Sequence, residues 1–268
     1  EVLAQRPTDG KRLRRYLGEF TSRVGALRTG VAELRPEWIY ADVQRNHCSS
    51  DAPEVTPIHI TEAAAPYEDE TGLYLPSSMK RVIVMAVPMD FDLIMTAPSL
   101  QAEAATSLGY SRAAAAAISV ATFIRTCGYQ AIPSVNGTGL SVPMAIAAGI
   151  GQAGRNGLLI TPEAGACVRL CKVFTDMPLE LDTPIDLGVT EYCQSCGLCA
   201  EKCPSKAVPT GDRTVCGPNE CSHSGELRWY VNAKQCLRYW VASGTSCSVC
   251  IAVCPFTRQG QVAKQSLG

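Results

Sequence analysis

The chain has 268 residues, 46% of them hydrophobic and 18% charged, with a formal net charge of −1 and 14 cysteines. That length supports one large domain or two ordinary ones, and it does not suit the small secreted disulfide scaffold that so many cysteines would otherwise suggest. The near-neutral balance excludes a global basic field for nucleic acid or an anionic membrane surface, and the longest weakly polar stretch, Ala114 to Ile124, is too short to cross a bilayer.

In chain order, residues 1–60 read as an N-terminal covering segment. Leu13, Leu17, Phe20 and Val24 fall at helical spacing, so a helix is expected from about Asp9 to Glu33. Arg14-Arg15 within it has the outline of a twin-arginine export signal. Arg23, Arg28 and Glu33 follow instead of an apolar region, so a solvated amphipathic helix is the better reading. Leu34 to Pro57 is polar and proline-punctuated and reads as extended chain, with Trp38 and Tyr40 on one face. Residues 61–185 read as an α+β domain. Arg81 to Pro88 is a continuous apolar run rich in β-branched residues, hence a strand buried on both faces and ended by proline. Pro98 to Cys127 predicts a long alanine-rich helix closed by Gly128. A short strand over Gln130–Val135, a turn at Asn136–Gly139 and a short helix over Val142–Ala148 follow. Leu158–Ile160 and Cys167–Thr175 then read as two strands joined by a turn. The intervening Gly149-x-Gly151-x-x-Gly154 spells a dinucleotide fingerprint, but it does not lie between the strand and helix of a βαβ unit. Pro178 to Leu187 is a proline-marked linker, and residues 186–268 form a cysteine-rich domain.

That last domain carries the most specific pattern. Cys193, Cys196, Cys199 and Cys203-Pro204 have the C-x2-C-x2-C-x3-C-P spacing of bacterial iron–sulfur runs, in which the fourth cysteine serves a second cluster. The second run is Cys247, Cys250 and Cys254-Pro255, with Cys236 upstream as its first ligand. Crossing the ligands gives Cys193, Cys196, Cys199 and Cys254 to one [4Fe–4S] cluster, and Cys236, Cys247, Cys250 and Cys203 to the other. Structural zinc would instead use two C-x2-C pairs. The insertion between the runs, Ser205 to Gln235, holds Cys216, Cys221 and His223.

The α+β domain, the linker with Thr175-Asp176-Met177-Pro178-Leu179, and the segment Glu191-Tyr192-Cys193 through Cys199 together resemble the corrinoid-dependent reductive dehalogenases over roughly residues 80–258. The resemblance implies a nitroreductase-like cobamide-binding core followed by a two-cluster ferredoxin-like domain. It implies a base-off cobamide, electrons delivered through two [4Fe–4S] clusters, and removal of halide from a small organohalide. Tyr110 matches the family's proton donor, Arg169 its assisting cation and Asn136 the nearby asparagine; Thr106 and Trp240 match positions that line the substrate pocket. The loop around Trp38 is expected to shape that pocket. Asn136, Gly151, Gly154 and Arg155 are candidate cobamide contacts, since glycine permits close approach of a planar ligand.

The residues argue in the same direction. Thr106 and Tyr110 share a helix face, and Arg169 is a charge in an otherwise apolar strand, where it needs a partner or a purpose. A guanidinium beside a phenol stabilises the phenolate and eases proton donation. No Asp-x-His-x-x-Gly motif occurs, and His47, His59 and His223 offer no evident lower cobalt ligand.

By the same resemblance the expected partners are an external electron donor (ferredoxin, flavodoxin or quinol-linked), a small membrane-anchor protein, or a second copy of the chain, with no nucleic acid. The site of action is the outer face of the cytoplasmic membrane if a twin-arginine signal has been removed, and the cytoplasm otherwise. Two other functions stay open: an epoxyqueuosine reductase-like enzyme acting on tRNA, and a non-catalytic iron–sulfur electron carrier.

Overall fold

The computed structural model of the chain describes residues 8–44 and 55–259; His47 and Cys48 lie outside them. In chain order the elements are α1 (Gly10–Arg23), β1 (Arg28–Glu33), β2 (Asp42–Gln44), β3 (Val55–Thr61), β4 (Tyr67–Asp69), β5 (Gly72–Pro76), β6 (Arg81–Pro88), α2 (Phe91–Ile94), α3 (Leu100–Thr126), β7 (Ala131–Ser134), α4 (Ser141–Ala147), β8 (Gln152–Ala153), β9 (Leu159–Ile160), β10 (Val168–Thr175), α5 (Val189–Cys196), α6 (Leu198–Glu201), α7 (Ala233–Ser243) and α8 (Val249–Ala252). They divide into two compact units. The first takes the chain up to Val87, with Arg112–Ile150 and Leu170–Pro184; the second takes Pro88–Ser111, Gly151–Arg169 and the chain from Ile185 onward.

The first unit is built on a four-stranded sheet in the order β1-β6-β10-β7, with β1 antiparallel to β6 and β10 antiparallel to β7. Strand β6 lies where its continuous apolar run predicts: Val82 through Val87 are all buried. Ile83, Met85 and Val87 point to one face and pack with Leu13 and Leu17 of α1 and with Ala113, Ala116, Ala117, Val120, Ala121 and Ile124 of α3. Burying each larger aliphatic side chain stabilises the core by about 1.5–3 kcal/mol, and the small alanines let the helix approach the sheet closely. A second sheet, β2-β3-β5-β4, pairs β3 with β5 in parallel and β4 with β5 antiparallel.

Helix α1 starts where Asp9 accepts from the backbone N–H groups of Lys11 and Arg12, but it ends ten residues before the expected Glu33. Gly25 adopts a left-handed backbone (φ 89°), and the following residues pair with β6 in register from Arg28 opposite Ala86 to Glu33 opposite Arg81. Cross-strand pairing overrides the helical spacing there. The twin arginines sit on α1, and Arg14 binds Asp182 at 2.8 Å and the Thr29 carbonyl at 2.9 Å. Trp38 and Tyr40 do not share a strand: Pro36–Trp38 is a single 3-10 turn. Strand β9 pairs with β8, while β10 enters the main sheet, so the expected β9–β10 hairpin does not form.

The second unit holds α2, α3 through Ser111, the β8–β9 ribbon and α5 to α8. One apolar cluster joins Met89, Ile94, Ala105, Ile160, Cys167, Val189, Ile251 and Cys254, and a smaller one joins Ala200, Cys203, Ala207 and Val208. Both cysteine runs are therefore seated on packed apolar side chains. Among the described residues no helix is long and apolar enough to cross a membrane.

Candidate functional site

The eight run cysteines all belong to the second unit, on α5 to α8 and the turns that follow them. Their thiols act on one another in two sets. Burial first, then Cys193, Cys254 and Cys196, push the Cys199 thiol up to about 12. Cys193 is raised by burial and then by Cys254 and Cys196. In the other set, Cys236 is raised by burial and then by Cys203 and Cys247, against a hydrogen bond from the Trp240 side chain. Cys250 is raised by burial and by Cys199, Cys247, Cys236 and Cys203, so it also reaches across to the first set. Cys203 behaves differently. Burial works to raise it, but the Ser205 hydroxyl and the backbone N–H groups of Val208, Ala207 and Ser205 outweigh that and hold it below the ordinary thiol value. Converging thiolates of one sign in an apolar setting demand a cationic group between them. Among the described residues no three His, Cys, Asp or Glu side chains converge tightly enough for a single metal ion.

Arg155 is 3% exposed and braces these segments. Its guanidinium donates to the carbonyls of Cys193, Gln194, Pro209 and Gly211 at 2.7–3.2 Å and lies over the Trp229 ring, 4.7 Å from its centroid. A planar five-donor fork suits several carbonyls at once. The nearby glycines approach protein atoms: a Cβ on Gly151 would meet the Ile160 carbonyl oxygen at 2.1 Å, and one on Gly154 the Asn156 side-chain Oδ1 at 3.0 Å.

Tyr110, Arg169 and Thr106 also lie in the second unit. The Arg169 Cζ sits 4.5 Å from the Tyr110 ring centroid, a cation over an aromatic face. Gly109 makes room for it, since a Cβ there would meet Met89 Cγ at 2.9 Å and Arg169 Cγ at 3.1 Å. Arg169 Nε is buried without a hydrogen-bond acceptor among the described residues. Glu103, Thr106, Ser107 and Tyr110 are spaced i, i+3, i+4 and i+7, so they form one stripe along α3. From that stripe Thr106, 2% exposed, faces the Ser248 hydroxyl at 3.4 Å. Glu103 Oε2 accepts from the Ser246 N–H at 2.6 Å and the Ser246 hydroxyl at 2.5 Å. The Ser246 hydroxyl chiefly holds the Glu103 carboxyl below the usual carboxylate range, with its N–H, the Ser107 hydroxyl and the Arg169 charge adding to it and burial opposing. Next to Ser246, Cys247 and Ser248 both adopt left-handed backbone (φ 62° and 60°), at a cost of about 1–2 kcal/mol each for residues that carry a Cβ. Trp240 lies on α7, four residues after Cys236, and is 39% exposed.

Asn136 and Trp38 belong to the first unit. Asn136 is exposed at the start of the turn after β7, and the Trp38 segment runs beside that turn. Ile39 bridges Gly139, and the Leu140 N–H donates to the Trp38 carbonyl at 2.8 Å. The turn is held by a residue the sequence reading passed over. Lys172 on β10 is fully buried, and its ammonium donates to the Val135 carbonyl at 2.6 Å and the Ser141 hydroxyl at 3.0 Å. Burial lowers the Lys172 pKa to about 8. The signal that singles out Arg169, a charge in an apolar strand, applies equally to Lys172 three residues on. For Glu103 and Ser246 the sequence offers no comparable signal, and Arg155, expected against a cobamide, holds the Cys193, Gln194, Pro209 and Gly211 carbonyls instead.

Residues 52–179 match the family model described as reductive dehalogenase subunit. The chain is 42% identical over 259 residues to a tetrachloroethene reductive dehalogenase of Sulfurospirillum multivorans, covering 94% of this chain and 51% of that one. The chain belongs to the reductive dehalogenase family. It spans about half the length of that relative. A solved catabolic reductive dehalogenase shares the fold, with a TM-score of 0.76 at 22% identity, covering 97% of this chain and 34% of the other. A solved epoxyqueuosine reductase is more distant, with a TM-score of 0.55 at 16% identity, covering 92% of this chain and 66% of the other. The mixed α/β architecture is thus that of the reductive dehalogenases.

Proposed function

We propose that the chain carries the active core of an oxidoreductase that removes halide from a small organohalide, with Tyr110 as proton donor. The observation that carries this reading is the Arg169 guanidinium over the Tyr110 ring, 4.5 Å from its centroid, in the same unit as the two cysteine sets. The reading takes its finer fold description from the family: a nitroreductase-like core about residues 61–185 behind a covering segment 1–60, and a ferredoxin-like module at 186–268. It assigns Cys193, Cys196, Cys199 and Cys254 to one [4Fe–4S] cluster and Cys236, Cys247, Cys250 and Cys203 to the other, as the two sets of interacting thiols support. One solved relative is described as B12-dependent. A cobamide here fits the buried Arg169 Nε, a donor left for a bound group, whereas Gly151 and Gly154, expected as cobamide contacts, lie against Ile160 and Asn156. Arg155 serves instead the carbonyls of the cluster segments. When bound, the clusters relay electrons and the cobamide's cobalt supplies the reducing chemistry at the carbon–halogen bond.

The chain's own residues then handle the proton and the substrate. Tyr110 gives its phenolic proton to the carbon left by the halide. The ring gains negative charge as it does so, and the attraction of the overlying guanidinium grows with it, so Arg169 favours the transition state over the ground state. Thr106 and Trp240 are the substrate-wall candidates of this unit, and Asn136 and Trp38 keep the roles that the family resemblance implies. Tyr110→Phe keeps the ring under Arg169 and removes the proton. We expect turnover to fall by about 10²–10⁴-fold while iron, sulfide and corrinoid contents stay at wild-type values; full halide release by that variant would overturn the assignment.

The second reading, an epoxyqueuosine reductase-like enzyme, draws on a real but weaker likeness: a TM-score of 0.55 against 0.76. The proposed partners remain a low-potential electron donor and, at the outer face of the cytoplasmic membrane, a small anchor protein.

A further inference from the structure

Glu103 has no place in the proton transfer described above, yet it joins three parts of the second unit. It stands on α3 seven residues before Tyr110, its Oε1 held by the Ser107 hydroxyl at 3.1 Å. Its Oε2 takes both donors of Ser246, a residue 143 positions away in the chain. The Arg169 charge helps to hold the Glu103 carboxyl below the usual carboxylate range. Ser246 directly precedes Cys247, and the Cys247-Ser248 pair sits in a left-handed conformation that non-glycine residues hold only when neighbours over-determine it. Two anchors flank that pair on the α3 stripe: Glu103 before it and Thr106, against the Ser248 hydroxyl, after it.

We infer that Glu103 is a positioning residue that fixes the Cys247 loop to the Tyr110 helix and sets the electrostatic environment of the second cluster. The inference rests on the reading of Cys247 as a ligand of that cluster. A carboxylate bonded to the residue next to a ligand disfavours added negative charge on the cluster, so it holds the reduction potential low.

The test is redox titration of the full chain, reconstituted anaerobically with iron, sulfide and cobamide and followed by electron paramagnetic resonance. The second cluster is identified as the signal altered by Cys247→Ser. In Glu103→Gln, which keeps the shape and removes the charge, iron and sulfide contents stay at wild-type values, the second cluster's midpoint moves positive and the first cluster's stays in place. Unchanged midpoints for both clusters in that variant overturn the inference alone. A wild-type protein lacking the second cluster overturns both it and the ligand assignment beneath it. If Glu103→Gln does not fold, Glu103→Ala carries the test. It too removes the charge, and the second midpoint must move positive there; a wild-type midpoint in Glu103→Ala then overturns the inference.

Discussion

Lys172 shows what one buried charge does at the residue scale. Its ammonium is held by the Val135 carbonyl and the Ser141 hydroxyl, yet burial lowers its pKa from 10.5 to about 8. Below about pH 8 the proton is bound in both folded and unfolded chains, and the full cost of burying the charge is present. Between about pH 8 and 10.5 the unfolded chain holds a proton that the folded chain has released, so stability rises with pH across that window, by on the order of 3 kcal/mol in total. Lys172→Met removes this dependence. Thermal melts of the two proteins from pH 7 to 10.5 should show the wild type gaining on the variant as pH rises; parallel curves would count against a buried, titrating Lys172. The ammonium is tied to the residue before Asn136, so we also expect Lys172→Met to loosen the turn that carries the proposed substrate contact.

At the scale of elements, legibility follows how local the cause is. Strand β6 and helix α3 could be read directly, because a continuous β-branched run and a long alanine-rich segment state their own conformation. The cysteine sets could be read because iron–sulfur spacing is itself a local rule. Strand β1 could not. Arg28-Thr29-Gly30 carries no strand pattern, and its conformation comes from pairing with β6 and from Gly30, where a Cβ would meet the Ala148 carbonyl oxygen at 1.9 Å. Tyr110 and Arg169 were singled out by resemblance and charge. Their supports were not, since Glu103 reaches Ser246 across 143 residues and Arg155 reaches its carbonyls across 38 to 56. Arg155→Met tests the scaffold of α5 and the loop at 209–211. It would take the guanidinium donor from the carbonyls of Cys193, Gln194 and Pro209, while Gly211 keeps the Trp229 indole N–H, a loss of about 1–3 kcal/mol. The expected result is a lowered melting temperature and a reduced iron content, both read on the purified variant; wild-type values for both would show that the guanidinium is dispensable.

At the scale of the whole molecule, charge separates the two enzyme readings. The formal net charge is −1, whereas RNA binding draws most of its affinity from neutralising phosphates and weakens steeply with salt. We expect no measurable binding of a tRNA stem-loop at physiological salt, and halide release from a small organohalide once the chain carries its clusters and cobamide. Salt-sensitive binding of the stem-loop with no halide release would reverse the choice. The two units contribute differently: the first supplies the main sheet and the turn at Asn136, the second the cysteine runs and the Tyr110–Arg169 pair.

Arg155 has one more consequence. Four carbonyls, two from α5 and two from the loop at 209–211, converge on a single flat cation that is itself stacked on Trp229. A frame fixed in this way has few soft coordinates, so its dipoles would move little when the cluster proposed at the neighbouring cysteines gains one electron. Small nuclear displacement means low reorganisation energy, and that allows an electron to hop at modest driving force. The side chain that sequence placed against a ligand would then act on the rate of electron flow.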